Sequence, residues 1–200
     1  MNTCVSIKTF YPGGLLTILL LLPALCFATT PTEYLRGTIG QVMAVLHESD
    51  TDNTTKREKI RAVISERFDY RAMSQRALAR NWKKASADER QRFVDLFARM
   101  MQNTYLVMVE EYNDQTVEYG DETIRKQKYA QVKTLIVDAG KRIPVNYKLR
   151  LKDGEWLVYD VVIEGVSMIS NYRSSYQQIV KREGIQGLIT RLETKLASSQ

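Results

Sequence analysis

The chain has 200 residues, a formal net charge of +6, one histidine and two cysteines, Cys4 and Cys26, both near the N-terminus. From residue 27 onward there is no thiol for a disulfide or a thiolate nucleophile, and a lone histidine leaves zinc centres and Ser-His-Asp or Cys-His catalysis almost without parts. With 44% hydrophobic and 26% charged residues, the composition is that of a globular domain that must hold itself together by burying a core.

The first segment, "MNTCVSIKTFYPGGLLTILLLLPALCFATT", sets Lys8 before an apolar run from Leu15 to Leu22 and ends on the small residue Ala28. That is the build of a secretory signal peptide. Its apolar part is shorter than the ~20 residues of a bilayer-spanning helix, and Pro23 interrupts it. Leu25 stands before Cys26 where a lipoprotein needs a small residue. Residues 1–28 are therefore expected to be a cleaved signal and 29–200 a single domain. The signal contains Lys8 and no acid, so the mature domain keeps 28 basic and 23 acidic side chains, a charge of +5. An exported, moderately basic domain suits an anionic lipid surface or an acidic partner, and no nucleic acid.

From Glu33 to Asn113 the pattern is helical. Thr55 with Glu58 and Ser86 with Glu89 have the spacing of capping boxes, and Asp69 is placed to cap another helix. Asn53 in "NTT" reads as a helix entry rather than a glycosylation acceptor. Gly37 and Gly40 either weaken the first helix or let it pack closely against a neighbour. Between Ser86 and Tyr112, Phe93, Leu96, Phe97, Met100, Met101, Thr104, Val107 and Met108 recur on one helical face, with Asp88, Arg92, Asp95 and Arg99 opposite. "YLVMV", Tyr105 to Val109, is apolar all round and predicts a helix end covered on every side.

After Asn113 the period changes to two. Ile143, Val145, Tyr147, Leu149 and Leu151 alternate with Arg142, Asn146, Lys148, Arg150 and Lys152, the mark of a strand with one dry face. Ala139-Gly140 and Asp153-Gly154 are turn signals, so Lys128 to Asp138, Lys141 to Lys152 and Glu155 to Glu164 should form an antiparallel meander, with Gln115 to Tyr119 as a fourth strand. In the last of these, Leu157, Tyr159, Val161 and Ile163 alternate with Trp156, Val158 and Val162, which predicts apolar residues on both faces. Two helices follow, Ser167 to Glu183 and Ile185 to Leu196, with Gly184 between them.

The chemistry that remains is sparse. His47 reads as an ordinary helix-end residue. Asp160 interrupts an otherwise dry strand, and a buried carboxylate needs partners or changes its pKa. It is either a structural acid bonded to an arginine, a tyrosine or a helix start, or the general base of a small-molecule enzyme with a cone-shaped α+β fold. "RALARNWKKASADERQR", with Trp82 inside it, has mixed charges at helical spacing and reads as a solvated face. Methionines at 100, 101, 108 and 168 and tyrosines at 105, 147, 159, 172 and 176 fit either a full core or a lipid-lined cavity.

"FDYRAMSQRALARNW", "ADERQRFVDLFARMMQNTY" and "WLVYDVVIEGVSMISNYRSSYQQIVKREGIQGLITRLETKL" resemble, in order and spacing, the toluene-tolerance family, the periplasmic phospholipid-binding component of the Mla lipid-asymmetry pathway. The likeness covers nearly the whole mature chain and is most specific over Tyr159 to Tyr176. It implies an α+β fold: a twisted antiparallel sheet of about four strands, packed by N-terminal and C-terminal helices, enclosing an apolar lipid pocket. It also implies a periplasmic carrier and no enzyme. Its partners would be phospholipid, an inner-membrane Mla ABC transporter complex with a lipid-binding domain, and an outer-membrane lipoprotein associated with a porin. Some relatives are hopanoid-associated, which leaves a hopanoid-type cargo open. The family supplies no catalytic motif, metal or cofactor, and a monomer is expected. Pattern alone nominates Met101, Tyr105, Met108, Tyr147, Leu149, Val161, Ile163, Val166 and Ile169 for the pocket. A lipid burying some thirty methylenes at ~0.8 kcal/mol each would gain roughly 25 kcal/mol over water.

Overall fold

A computed structural model describes residues 29–110 and 115–198, without the side chains of residues 107–110. The predicted signal segment and Glu111 thus lie outside the described residues, as do the side chains of Met108 and Glu110. Helices α1 (Pro31–Leu46), α2 (Asn53–Arg67), α3 (Tyr70–Leu78) and α4 (Ala87–Glu110) precede the sheet, with a short 3-10 turn at Ala79–Lys83. Strands β1 (Thr116–Arg125), β2 (Tyr129–Asp138), β3 (Lys141–Lys152), β4 (Glu155–Ile163) and β5 (Val166–Ser167) follow, and α5 (Met168–Ala197) ends the fold.

The helix starts are chemically explicit. Thr30 and Glu33 form a capping box ahead of Pro31, Asp69 accepts from the Ala72 N–H at 2.8 Å, and Ser86 and Glu89 exchange bonds at 3.2 and 2.8 Å. The expected Thr55–Glu58 box is replaced. Asp52 caps α2 and accepts from the Thr55 N–H at 3.0 Å and from its hydroxyl at 2.6 Å, because an aspartate three residues earlier caps at least as well as a threonine and starts the helix there. Gly37 and Gly40 have no atom within 4 Å of where a Cβ would stand, so close packing is not their role.

The sheet is an open meander, β1-β2-β3-β4-β5, antiparallel throughout. It has five strands rather than four, since a two-residue β5 pairs Val166 with Ile163, and the first strand runs beyond the expected Tyr119 to Arg125. The expectation for β4 is corrected by a bulge. Lys148 pairs with Asp160 and Leu149 with Val158, which leaves Tyr159 over and reverses the phase of the strand. Trp156 and Val158 before the bulge, and Val161 and Ile163 after it, therefore share the face of Leu151, Leu149, Tyr147 and Val145.

That face receives the helices. Phe93 stacks on Phe97 at 5.5 Å between ring centroids, and Tyr172 and Tyr176 meet their rings edge-on. These contacts join α4 to α5. Gly184, at φ 72° and ψ −178°, splits α5 in two, a conformation open essentially to glycine alone. The second half returns Leu188, Ile189, Leu192 and Leu196 to the core.

Candidate functional site

Packing between sheet and helices is incomplete at one end, where a cavity of about 290 Å³ opens among α1, α4 and the strands. Small-molecule sites begin near ~300 Å³. From α1 come Leu35, Thr38, Ile39, Val42, Met43 and Leu46, at the i, i+3/i+4, i+7 spacing of one helix face. Ile64, Phe68 and Tyr70 close one side, and Met101, Gln102, Tyr105 and Leu106 come from the last turns of α4. The sheet contributes Val117, Ile136, Val145, Tyr147, Val158, Val161 and Ile163, and Met168 opens α5 beside them.

None of these lining residues is charged. Several of their polar groups have protein partners: the Thr38 hydroxyl donates to the Tyr34 carbonyl at 3.0 Å, and the Gln102 amide donates to Ser65 Oγ at 2.7 Å and Tyr70 Oη at 3.3 Å. Burial pushes the Tyr70 and Tyr147 hydroxyls up to about 12, so both stay neutral donors at physiological pH. Such a wall solvates hydrocarbon and penalises any ion. Among the described residues no group of three or more His, Cys, Asp or Glu side chains stands together for a metal.

Of the pattern-nominated residues, Met101, Tyr105, Tyr147, Val161 and Ile163 line the cavity. Leu149 and Ile169 do not; they are fully packed core residues. Leu149 lies on the same strand face as Tyr147, but helices cover it where the cavity covers Tyr147, and strand period cannot separate the two. Val166 is 62% exposed at the sheet edge. The side chain of Met108 is outside the described residues. The α1 wall was missed altogether, although its apolar spacing was present in the sequence.

Asp160 is absent from the lining. It is 5% exposed and accepts from Lys148 Nζ at 2.9 Å, from the Ser167 hydroxyl at 2.8 and 3.0 Å, and from the Ile169 N–H at 3.2 Å. The carboxylate clasps β3, β4 and the first turn of α5, with its lone pairs committed. A helix start and a lysine hold it, as a structural acid requires, and no free oxygen is left for base chemistry. Asp69 repeats the device one strand pair away: it caps α3 and is ion-paired with Arg150. His47 is the exposed C-cap of α1. Trp82 is buried, with the guanidinium groups of Arg71 and Arg90 each 5.6 Å from its ring, so its segment is a packing junction.

The chain matches the MlaC protein family over residues 36–194. It is 26% identical over 123 residues to the intermembrane phospholipid transport system binding protein MlaC of Haemophilus influenzae, spanning 59% of this chain and 58% of that protein. It is 25% identical over 178 residues to the toluene tolerance protein ttg2D of Pseudomonas putida, 86% of this chain and 83% of that one. The solved structure of a phospholipid-binding protein from Ralstonia solanacearum, in complex with a phospholipid, superposes with a TM-score of 0.75 at 23% identity, over 83% of this chain and 96% of the other.

Proposed function

The chain belongs to the MlaC family, and from that premise we propose that it is a periplasmic phospholipid carrier, not an enzyme. It holds acyl chains in the cavity and shuttles lipid between an outer-membrane lipoprotein with its porin and an inner-membrane Mla ABC transporter complex, maintaining outer-membrane lipid asymmetry. The observation that carries this reading is an uncharged cavity of about 290 Å³ in a fold shared with a phospholipid-binding protein. Export by the segment 1–28 supplies the compartment, and residues 29–200 form the carrier. N-terminal sequencing of exported protein should begin at Thr29; a start at a lipidated Cys26 would overturn the soluble carrier.

The volume sets the scale of binding. At ~30 Å³ per water-sized group the cavity takes roughly ten methylenes, and at ~0.8 kcal/mol each these gain about 8 kcal/mol over water. That is a third of the thirty-methylene figure. A diacyl lipid therefore needs more room than the closed cavity offers, and the half-buried far end of α1, with Val42, Met43 and Leu46, is the wall most easily moved. Within the wall we assign tail contacts to Met101, Tyr105, Tyr147, Val161 and Ile163. A membrane solvates the same tails equally well, so exchange with a docked partner is nearly balanced and needs no fuel within this chain.

Native mass spectrometry of mildly purified protein tests the reading, with solvent extraction of whatever is bound. A phospholipid of stoichiometric abundance is expected. Lipid-free protein that also takes up none from vesicles would overturn it.

A further inference from the structure

The four tight turns of the sheet are not built alike. All place two successive residues at positive φ, and three of them set glycine second: Ala139-Gly140, Asp153-Gly154 and Glu164-Gly165. The β1–β2 turn instead holds Lys126 and Gln127 at φ 52° and 50°, with the Lys128 N–H donating to the Arg125 carbonyl. Side chains are disfavoured there, and Asn-Gly or Asp-Gly is the ordinary solution. Gln127 thus stands where each of the other turns sets glycine, and a turn that keeps side chains at both positions is a tip retained for them.

Those side chains have one chemistry. From Thr123 to Lys128, "TIRKQK", every residue is exposed, three are cations and none is an acid. Each acid earlier in β1 is engaged: Glu118 with Arg142, Asp121 with Lys133, and Glu122 with the backbone and hydroxyl of Thr32. Arg125, Lys126 and Lys128 have no ion-pair partner among the described residues. Lys133, Arg142, Lys148 and Arg150 of the sheet are ion-paired with Asp121, Glu118, Asp160 and Asp69, and the unpaired Lys141 and Lys152 stand singly on other turns, so among the described residues of the sheet only the β1–β2 tip gathers three free cations. Beside the three cations stands Ile124, 48% exposed, one of two exposed large apolar side chains among the described residues. It pairs with Ala130 in register, two residues beyond the Glu122 contact with the start of α1.

We propose that this hairpin tip is a docking site for the anionic surface of a lipid bilayer, Arg125, Lys126 and Lys128 meeting headgroup phosphates while Ile124 enters the layer beneath. Cations over an apolar anchor match the layer order of such a surface, headgroup phosphates above hydrocarbon. The site is separate from the cavity, none of whose lining residues lies on the tip. Its attraction is weak by construction, which suits a protein that must leave each membrane it visits.

The test is flotation of the mature chain with vesicles of phosphatidylglycerol and phosphatidylcholine, against phosphatidylcholine alone, with cavity occupancy followed by mass spectrometry in the same samples. Binding should require phosphatidylglycerol and weaken with salt. Each basic residue contributes about fivefold near such a surface, so Arg125→Gln, Lys126→Gln and Lys128→Gln together should lower binding about a hundredfold. The same charge removed at Arg80, Lys83 and Lys84 should leave it nearly unchanged. Lys126→Asn with Gln127→Gly relaxes the turn, and is expected to raise the melting temperature while cutting vesicle binding about fivefold. Equal losses in the two charge-removal triples would mean that net charge alone acts, and would overturn the site. So would wild-type binding indifferent to phosphatidylglycerol, or an Ile124→Ser variant that floats like wild type. Cavity occupancy unaltered across these variants keeps the result independent of the carrier reading.

Discussion

Val161→Glu places a carboxylate where the cavity wall has least to offer it. Val161 is 7% exposed, stands opposite Tyr147 in the β3–β4 ladder, and among the described residues shares its cavity with no charged side chain. A glutamate ionises near ~4.3 in water, and burial without a cation raises that value. A rise to ~7 is short of the fully buried extreme and costs about 4 kcal/mol of folding stability above pH 7, at 1.36 kcal/mol per unit. The folded protein then binds the proton more tightly than the unfolded chain. The penalty is therefore absent below pH ~4, grows as pH rises towards ~7 and is constant beyond. A domain of ordinary stability, ~5–15 kcal/mol, survives this. The lipid suffers similarly, because about half of the ~8 kcal/mol estimated for ten methylenes is offset, a loss of roughly a thousandfold in occupancy at pH 8. The assay is lipid extraction and thermal melting at pH 5 and pH 8, with Val161→Gln as an uncharged control. Lipid retained at pH 5 and lost at pH 8, with a melting temperature that falls in the same direction relative to wild type, is expected. A glutamate variant that keeps its lipid and the wild-type pH profile would mean that position 161 does not face a dry cavity.

Gly184→Ala should destabilise by about 1–3 kcal/mol, since its backbone conformation is essentially reserved for glycine, whereas Gly40→Ala, in open space within α1, should stabilise by about 0.5–1 kcal/mol; urea unfolding of the two separates the roles, and equal effects would refute them. Asp160→Ala strands Lys148 and the start of α5 and should cost about 3 kcal/mol, part of it recovered by adding Lys148→Met, as read from denaturant midpoints; a neutral single mutant would show that the clasp contributes nothing. Tyr70 and Tyr147 are pushed up to about 12, and burial also raises Tyr172 and Tyr176. The unfolded tyrosines ionise near ~10, so stability should fall as pH rises from about 10 to 12; phenolate absorbance and loss of circular dichroism should rise together, and complete ionisation of a still-folded protein would contradict this.

Local chemistry was legible wherever the sequence repeated at the period of its own element. Phe93, Leu96, Phe97, Met100 and Met101 form the buried face of α4, and Val145 and Leu149 the dry face of β3, as spacing predicts. Thr104 is exposed despite its place on that helical face, its hydroxyl donating to the Met100 carbonyl one turn back. Reading period two across the bulge of β4 grouped its residues wrongly; Tyr159 adds one residue, Val158 and Val161 then point the same way, and Leu157 and Val162 lie half-buried on the other face. Core and cavity were harder to tell apart. Leu149 and Tyr147 share a strand, a face and an apolar neighbourhood, and only the position of helices far along the chain decides which of them meets empty space.

The clasp between Asp69 and Arg150 joins residues 81 apart in sequence, the bond from Arg173 Nε to the Arg76 carbonyl spans 97, and that from Arg92 to Glu193 spans 101. The meander, by contrast, pairs each strand with the next. Assembly consequently has two tempos. The hairpins close over short loops at little entropic expense, while α3 and α4, which pack chiefly on α5, are covered only once the last sixth of the polypeptide is made. A chain that emerges from its N-terminal end therefore leaves the apolar faces that α3 and α4 turn to α5 uncovered until that helix arrives.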